Sequence, residues 1–422
     1  MSAPLAAGTV VRTARSLLFA SASAGSAALL LVLLIVAGRV LGDEKYGQFS
    51  FALALATILE TLVDFGLKEV ATRSVARDRG LASRLVRHTF GLKLVLGAAM
   101  LAVLAVAATL LRDEPEVRLA CYLLGAAAVL RSYLMTLRHT LNGLERFDLE
   151  SLVVVADRGL LLVFGVAVLW ADLGLTGLTG AFVAARVAAL GLAYLVTRGQ
   201  VGPIGVGFDT AYWRDLQRVA LPFGLFVAVL SLYSYIDTLL IGILRTDQET
   251  GFYSAAYRIY EGFTNGAVII ATVAGPQLAR HFVTDRARHA ALSRWAVGGA
   301  VAAAVPFMAV GAVFARDLLV LLFGEAFAPG EAVLQILAGG LIFVFPLQIM
   351  HTVAISVNEE RLLVKAAVFG LVTNVVVNLV LIPRLGIVGA AIATLTSEGT
   401  SLAVLLGGVL LRLRPTPTAP PS

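Results

Sequence analysis

Gly47-Gln-Phe49-Ser50-Phe-Ala52 opens one apolar stretch of the chain, and Gly251-Phe-Tyr253-Ser254-Ala-Ala256 opens another about half a sequence later. At the same offset Thr57 falls on Glu261, Thr61 on Asn265 and Lys68 on Thr272. A polar stripe is thus repeated inside two otherwise apolar helices. A membrane protein assembled from two equivalent halves, as transporters often are, would carry this signature.

The rest of the composition agrees. Of the 422 residues, 59% are hydrophobic and 14% charged, and the mean hydropathy is +0.89. A soluble chain would carry about 25% charged residues. The chain therefore reads as an all-α integral membrane protein. Its apolar segments are too long and too uniform for barrel strands. No cleavable leader is evident, because Ala20 to Ile35 runs on into Gly38-Arg-Val-Leu-Gly42. A span needs about 20 mostly apolar residues, and twelve are expected, at 17–41, 47–70, 89–111, 118–141, 150–170, 176–197, 219–243, 252–277, 295–315, 332–356, 363–382 and 387–411.

Lys and Arg orient them. With a cytoplasmic N-terminus, one set of connections includes Arg12, Arg15, Arg73, Arg77, Arg79, Arg84, Arg87 and Lys93, and later Arg280, Arg286, Arg288, Arg294, Arg361, Lys365, Arg412 and Arg414. Roughly 20 cations lie on that side against roughly 6 on the other, so the positive-inside rule places both termini in the cytoplasm. The opposite loops carry Asp43, Glu44, Asp113, Glu114, Glu116, Asp247 and Glu249. Basic residues spread over many short loops do not make a nucleic-acid surface.

Gly199 to Gly207, rich in Gly with Pro203, reads as a linker, and Thr210 to Leu216 as a short interfacial helix. The expected organisation is an N-terminal six-helix lobe (1–198), a cytoplasmic linker with its interfacial helix (199–218), a C-terminal six-helix lobe (219–411) and a disordered cytoplasmic tail (412–422). Further echoes link the halves: Asn142-Gly-Leu-Glu145-Arg146 with Asn358-Glu-Glu360-Arg361, and Leu173-Gly174-Leu-Thr-Gly177 with Leu385-Gly386-Ile-Val-Gly389. An even number of spans per half relates the two pseudo-symmetric bundles by an axis along the membrane normal.

Charges at membrane depth cost about 2.5–3.5 kcal/mol on insertion scales and usually face the bundle interior or water. Thr57, Glu60, Thr61, Asp64 and Lys68 share one face of the second span, and Ser254, Arg258, Glu261, Asn265 and Thr272 one face of the eighth. These stripes line a cavity on one reading. On the other they are packing seams, with Glu261 neutralised by Arg258. Asp237 is a candidate for proton or sodium coupling, or else a cap on a neighbouring helix. Arg131, Arg138 and Arg186 suit an anionic ligand, since an arginine fork matches phosphate oxygens. The competing reading pairs Asp157 with Arg158 or Arg186. Glu398 reads as structural. The candidate substrate-binding residues are therefore Arg131, Arg138, Arg186, Arg258 and Asn265, and the candidate ion-coupling residues Glu60, Asp64, Asp237 and Glu261.

No G-x-x-x-x-G-K-[ST] run offers a P-loop, and no His/Cys cluster offers a metal site. No cofactor is expected. Cys121 stands alone and reads as a small buried hydrophobe.

Arg39-Val-Leu-Gly42-Asp-Glu-Lys-Tyr46-Gly47 resembles the opening of the polysaccharide and O-antigen (Wzx-type) flippases. Asp64-Phe-Gly-Leu67 with Ala71-Thr-Arg73 is similar to the end of their second span, and Asp237 with Gly251 to Arg258 to their seventh- and eighth-span signature. Asn374-Val-Val-Val-Asn378 and Leu385 to Ala391 resemble their last two spans. The resemblance implies the multidrug/oligosaccharidyl-lipid/polysaccharide (MOP) superfamily and a MATE-like fold. It further implies, without enzymatic activity, alternating-access flipping of a polyprenyl-diphosphate-linked glycan to the outer leaflet of a bacterial or archaeal cytoplasmic membrane, for surface polysaccharide such as the O-antigen of lipopolysaccharide. Membrane lipids, a polysaccharide polymerase and glycosyltransferases are the implied partners. A multidrug/cation antiporter of the same fold is the first alternative, and a non-transport membrane protein of envelope glycan assembly the second.

Overall fold

The computed structural model describes the backbone of residues 3–412 and the side chains of residues 25–26, 28–359 and 361–409. Arg12, Arg15, Arg412, Arg414 and the rest of the expected tail lie outside the described side chains. The helices are α1 (Ala3–Asp64), α2 (Leu67–Arg77), α3 (Ala82–Leu111), α4 (Pro115–Gly143), α5 (Phe147–Trp170), α6 (Gly174–Val201), α7 (Thr210–Leu244), α8 (Asp247–Thr284), α9 (Arg286–Val313), α10 (Ala315–Phe323), α11 (Glu331–Ser356), α12 (Glu360–Leu385) and α13 (Ile387–Arg412). Among the described residues nine helices have the length and apolarity to cross a membrane, and the bent pair α1–α2 makes a tenth. The polar stripe of α8 keeps that 38-residue helix out of the set. The protein is a multi-pass, all-helical membrane protein. It divides into two compact units between Ser231 and Leu232, within α7.

Several boundaries differ from the sequence expectation, and three of the differences reshape the path of the chain. The first two expected spans are one helix interrupted at Gly42, with no loop between them. Gly42 has φ 78° and ψ 175°, a region essentially restricted to glycine. Nothing lies within 4 Å of the position a Cβ would take there, so conformation, not space, requires the glycine. The second span ends at Asp64 rather than residue 70. Phe65 (φ 29°) and Gly66 (φ 77°) turn the chain by 40° into α2. Thirdly, residues 316–323, expected to start a loop after the span 295–315, belong to α10, whose Phe323 packs with the buried Phe327 and, through it, Phe252.

In the first unit, the core where α3, α4, α5 and α6 meet is Val86, Leu134, Leu137, Leu141, Val153, Ala189 and Ala193. The linker is not loose. The Gly207 amide donates to the Arg87 carbonyl at 2.9 Å, and Trp213 Nε1 to the His88 carbonyl at 2.9 Å. Thr210 to Leu216 are the first turns of α7, continuous with its apolar part, rather than a separate interfacial helix. Asp209 Oδ1 caps them by accepting the amides of Ala211 and Tyr212, each at 3.0 Å. The Tyr212 amide holds that carboxyl below the usual carboxylate range. Gly66 sits directly against the same helix: a Cβ there would lie 2.6 Å from the Ala220 carbonyl oxygen and 2.6 Å from the Gly224 nitrogen.

The second unit contains the later part of α7 and α8–α13. Pro276, Pro306, Pro346 and Pro383 lie inside its helices, each removing a backbone hydrogen bond. α8 starts at a capping box in which Thr246 and Glu249 satisfy each other's amides, while Arg245 grips Glu249 at 2.8 and 2.9 Å.

Gly66→Ala should destabilise the first unit by about 1–3 kcal/mol, because it combines a strained φ with a backbone collision. Thermal unfolding of the detergent-solubilised protein checks this. A lowered midpoint is expected, and an unchanged one contradicts the described bend.

Candidate functional site

Most charged side chains at membrane depth in the first unit meet an opposite charge. Glu60, on α1 and 7% exposed, accepts from Arg131 Nη1 of α4 at 2.6 Å. Four residues on, Asp64 accepts from Lys93 Nζ of α3 at 2.8 Å, and the same ammonium donates to the Ser132 carbonyl at 2.7 Å. Lys68 stands 3.6 Å from the other oxygen of Asp64 and 3.9 Å from Glu69. Arg138 donates from Nη2 and Nε to Glu150 of α5, at 2.6 and 3.0 Å. Arg186 of α6 and Asp157 of α5 are hydrogen-bonded and buried. Of the open alternatives, Asp157 takes Arg186.

These pairs leave one cation over. Lys68, Lys93, Arg131, Arg138, Arg158 and Arg186 face Glu60, Glu69, Asp64, Glu150 and Asp157. Arg158, half-buried on α5, has no hydrogen-bond or carboxylate partner among the described residues. The charges of Arg186, Arg131, Asp157 and Arg138 all reach it. A guanidinium carries five donors in a fork, so this one remains available to an anion. Sequence reasoning missed it because Arg158 follows Asp157 directly and looked like that residue's partner. Consecutive helix residues do not face each other, a signal that was available. Lys93 was also misplaced. It was counted with the cytoplasmic loop cations, but α3 begins at Ala82, and Lys93 is 0% exposed three turns inside it.

The second unit treats its acids differently. Asp237 of α7 is buried and caps no helix. Its Oδ2 accepts from Tyr253 of α8 at 2.7 Å and Thr394 of α13 at 2.5 Å, and its Oδ1 from Asn378 Nδ2 of α12 at 2.6 Å. Asn378 Nδ2 also donates to Asn374 Oδ1 at 3.0 Å. One turn past Thr394, Glu398 accepts from the Tyr260 hydroxyl. Neither carboxyl has a cation partner among the described residues. The other expected residues are arranged otherwise: Arg258 Nη1 donates to Glu261 at 2.6 Å, the Glu261 side chain is 49% exposed, and Asn265 is exposed. Of the four expected ion-coupling residues, Glu60, Asp64 and Glu261 are therefore held by cations and Asp237 by neutral donors alone. The sequence did place Asp237, but not the Asn374, Asn378 and Thr394 that surround it. Among the described residues no cluster of three or more His, Cys, Asp or Glu could hold a metal.

Residues 14–282 match the polysaccharide biosynthesis protein family, and the chain belongs to it. Two relatives from Haloferax volcanii are similar over part of their length. One is a probable low-salt glycan biosynthesis flippase, Agl15, 28% identical over 39% of this chain and 35% of its own. The other is the probable flippase AglR, 27% identical over 41% and 37%. The matches thus span little more than a third of these relatives. Among solved structures, the lipid II flippase MurJ in an inward closed conformation has a TM-score of 0.79 at 12% identity, covering 93% of this chain and 87% of that one. An inward-facing multidrug resistance MATE family transporter has 0.74 at 16%, covering 93% and 96%. The chain shares its fold with these two structures.

The pairing gives a direct test. Asp157→Asn alone leaves Arg186 buried without a counter-charge and should cost about 3–5 kcal/mol. Converting both Asp157 and Arg186 to Leu should restore a monodisperse protein on size-exclusion chromatography. A well-behaved Asp157→Asn variant, or a double variant as poor as the single one, would contradict a buried pair.

Proposed function

We infer that the protein is a flippase that carries a polyprenyl-diphosphate-linked oligosaccharide from the cytoplasmic to the outer leaflet of a bacterial or archaeal cytoplasmic membrane. The observation that carries this reading is Arg158, a cation at membrane depth in the first unit with no carboxylate partner among the described residues. A diphosphate headgroup crossing about 30 Å of hydrocarbon needs a counter-charge that is not already spent. An unpaired guanidinium can grip phosphate oxygens in two parallel hydrogen bonds. Family membership supports the glycan connection, and the excess cation counts against a carrier of cationic drugs.

On this reading twelve crossings form two sets of six, within 1–198 and 219–411, with both termini cytoplasmic. The first set takes the two arms of α1 on either side of Gly42, then α3 to α6. The second takes α7, α8, α9, α11, α12 and α13. The glycan is drawn across by alternating inward- and outward-facing states, and the polyprenyl tail stays in lipid. Arg131, Arg138 and Arg186 surround Arg158 as neutralised neighbours that raise the local potential. Asp237, free of any fixed cation, takes the coupling ion, a proton or sodium. Glycosyltransferases supply the cargo and a polymerase consumes it.

Arg158→Gln should lower surface glycan at least about tenfold in a strain whose own lipid-linked-glycan flippase is deleted, the loss expected when a charge-assisted hydrogen bond disappears. Arg158→Lys should recover part of it. Membrane levels of both variants are read in parallel by immunoblot. Full glycan display by Arg158→Gln at normal abundance would remove the anion-anchoring role.

A further inference from the structure

Glu398 is a buried acid that the flipping reading does not use. It lies on α13, 6% exposed. Its two oxygens have different surroundings. Oε1 accepts the Tyr260 hydroxyl. Oε2 is buried with no hydrogen-bond partner. It lies against the backbone of α11 at Gly340, where a Cβ would sit 3.0 Å from it. Any larger residue at 340 would press on the carboxyl.

Among the described residues no cation pairs with Glu398 to balance an ionised form. α7 contributes Tyr233 and Asp237, and α8 contributes Tyr257 and Tyr260, which are the titratable groups whose charges interact with Glu398. α11 offers glycine at 340. α12 packs Gly370 against Ser401, and its Lys365 is exposed. On α13 itself Ser397 engages Tyr233 at 3.0 Å, and Ser401 donates to the Ala366 carbonyl at 3.2 Å. An ionised carboxylate with one oxygen sealed from any donor is costly in such a setting. A proton on that oxygen removes the charge.

We propose that Glu398 is a proton-binding site, with the proton carried on Oε2 against Gly340 and the Tyr260 hydroxyl fixing Oε1 as the carbonyl oxygen. Thr394, one turn earlier on the same helix, bonds Asp237, so the two acids belong to one buried cluster. Uptake and release of this proton change the charge of that cluster, and so its hold on the ion at Asp237. The proton site itself stands on the geometry. Only its link to cargo movement rests on the flippase reading.

The test is infrared spectroscopy of the full-length protein in lipid nanodiscs at neutral pH, combined with the glycan-display assay. Gln is nearly isosteric with a protonated Glu, so Glu398→Gln should fold. The wild type should show a protonated-carboxyl C=O band that Glu398→Gln removes. Tyr260→Phe should keep that band and move it to higher frequency, because the carbonyl oxygen loses its donor. Glycan display by Glu398→Gln should fall at least about tenfold at unchanged abundance, as expected for loss of a proton-transfer group. Absence of the band in the wild type, or its persistence in Glu398→Gln, overturns the site. A band that depends on Glu398 together with undiminished glycan display overturns the coupling. A Glu398-dependent band in a wild type that rescues no flippase-deficient strain supports the proton site and rejects the glycan reading.

Discussion

The ammonium of Lys93, lying between the carboxylate of Asp64 and the Ser132 carbonyl, ties α1, α3 and α4 together with no exposure of the lysine at all. Such a charge is tolerable in a bilayer only when opposite charge and hydrogen-bond acceptors replace the water it has lost. The same requirement organises the remainder of the first unit. Glu60 joins α1 to α4, Glu150 joins α5 to α4, and Asp157 joins α5 to α6. In hydrocarbon there is little hydrophobic drive for helices to associate, and these pairs supply specific contacts at known heights. Arg158 departs from the pattern, and a departure from so strict a requirement is the feature that calls for a ligand.

The second unit meets the same cost by another route. Asp237 is satisfied by a tyrosine, a threonine and an asparagine, drawn from three helices. Glu398 has a single tyrosine. Neutral donors stabilise a carboxylate less than a fixed cation does, and they leave room for a mobile one. The buried acids of the two units therefore have different surroundings: fixed ion pairs beside Arg158 in the first, and in the second Asp237 and Glu398 with no cation partner among the described residues. On the proposed reading, the first kind of site holds the anionic cargo and the second takes the coupling ion.

The sequence revealed a large part of this. Its apolar segments located most of the membrane-length helices. Asp237 stood out because an acid in so apolar a stretch is conspicuous. Other features depend on information that one-dimensional reading lacks. Gly42 looked like part of a loop because Asp43 and Glu44 follow it, whereas a single glycine-only conformation lets the helix resume at once. Lys93 falls only one turn inside the expected span 89–111 and so reads with the flanking cations, whereas α3 begins seven residues earlier, at Ala82, and carries it three turns deep. Which arginine Asp157 chose depended on the rotation of α5 against α6, and that choice decided whether Arg186 or Arg158 was left available. Asn374 and Asn378 stand in the sequence only as a motif of the resemblance and Thr394 not at all, and their place around Asp237 emerges when α12 and α13 bring them together.

The most direct measurement is of lipid binding by the purified full-length protein, using native mass spectrometry with a polyprenyl diphosphate and the matching polyprenyl monophosphate as probes. If Arg158 is the anchor, the wild type retains the diphosphate in preference to the monophosphate. Arg158→Gln then weakens diphosphate retention by about tenfold, the value of one charge-assisted hydrogen bond. Equal retention of the diphosphate by wild type and Arg158→Gln would contradict the account.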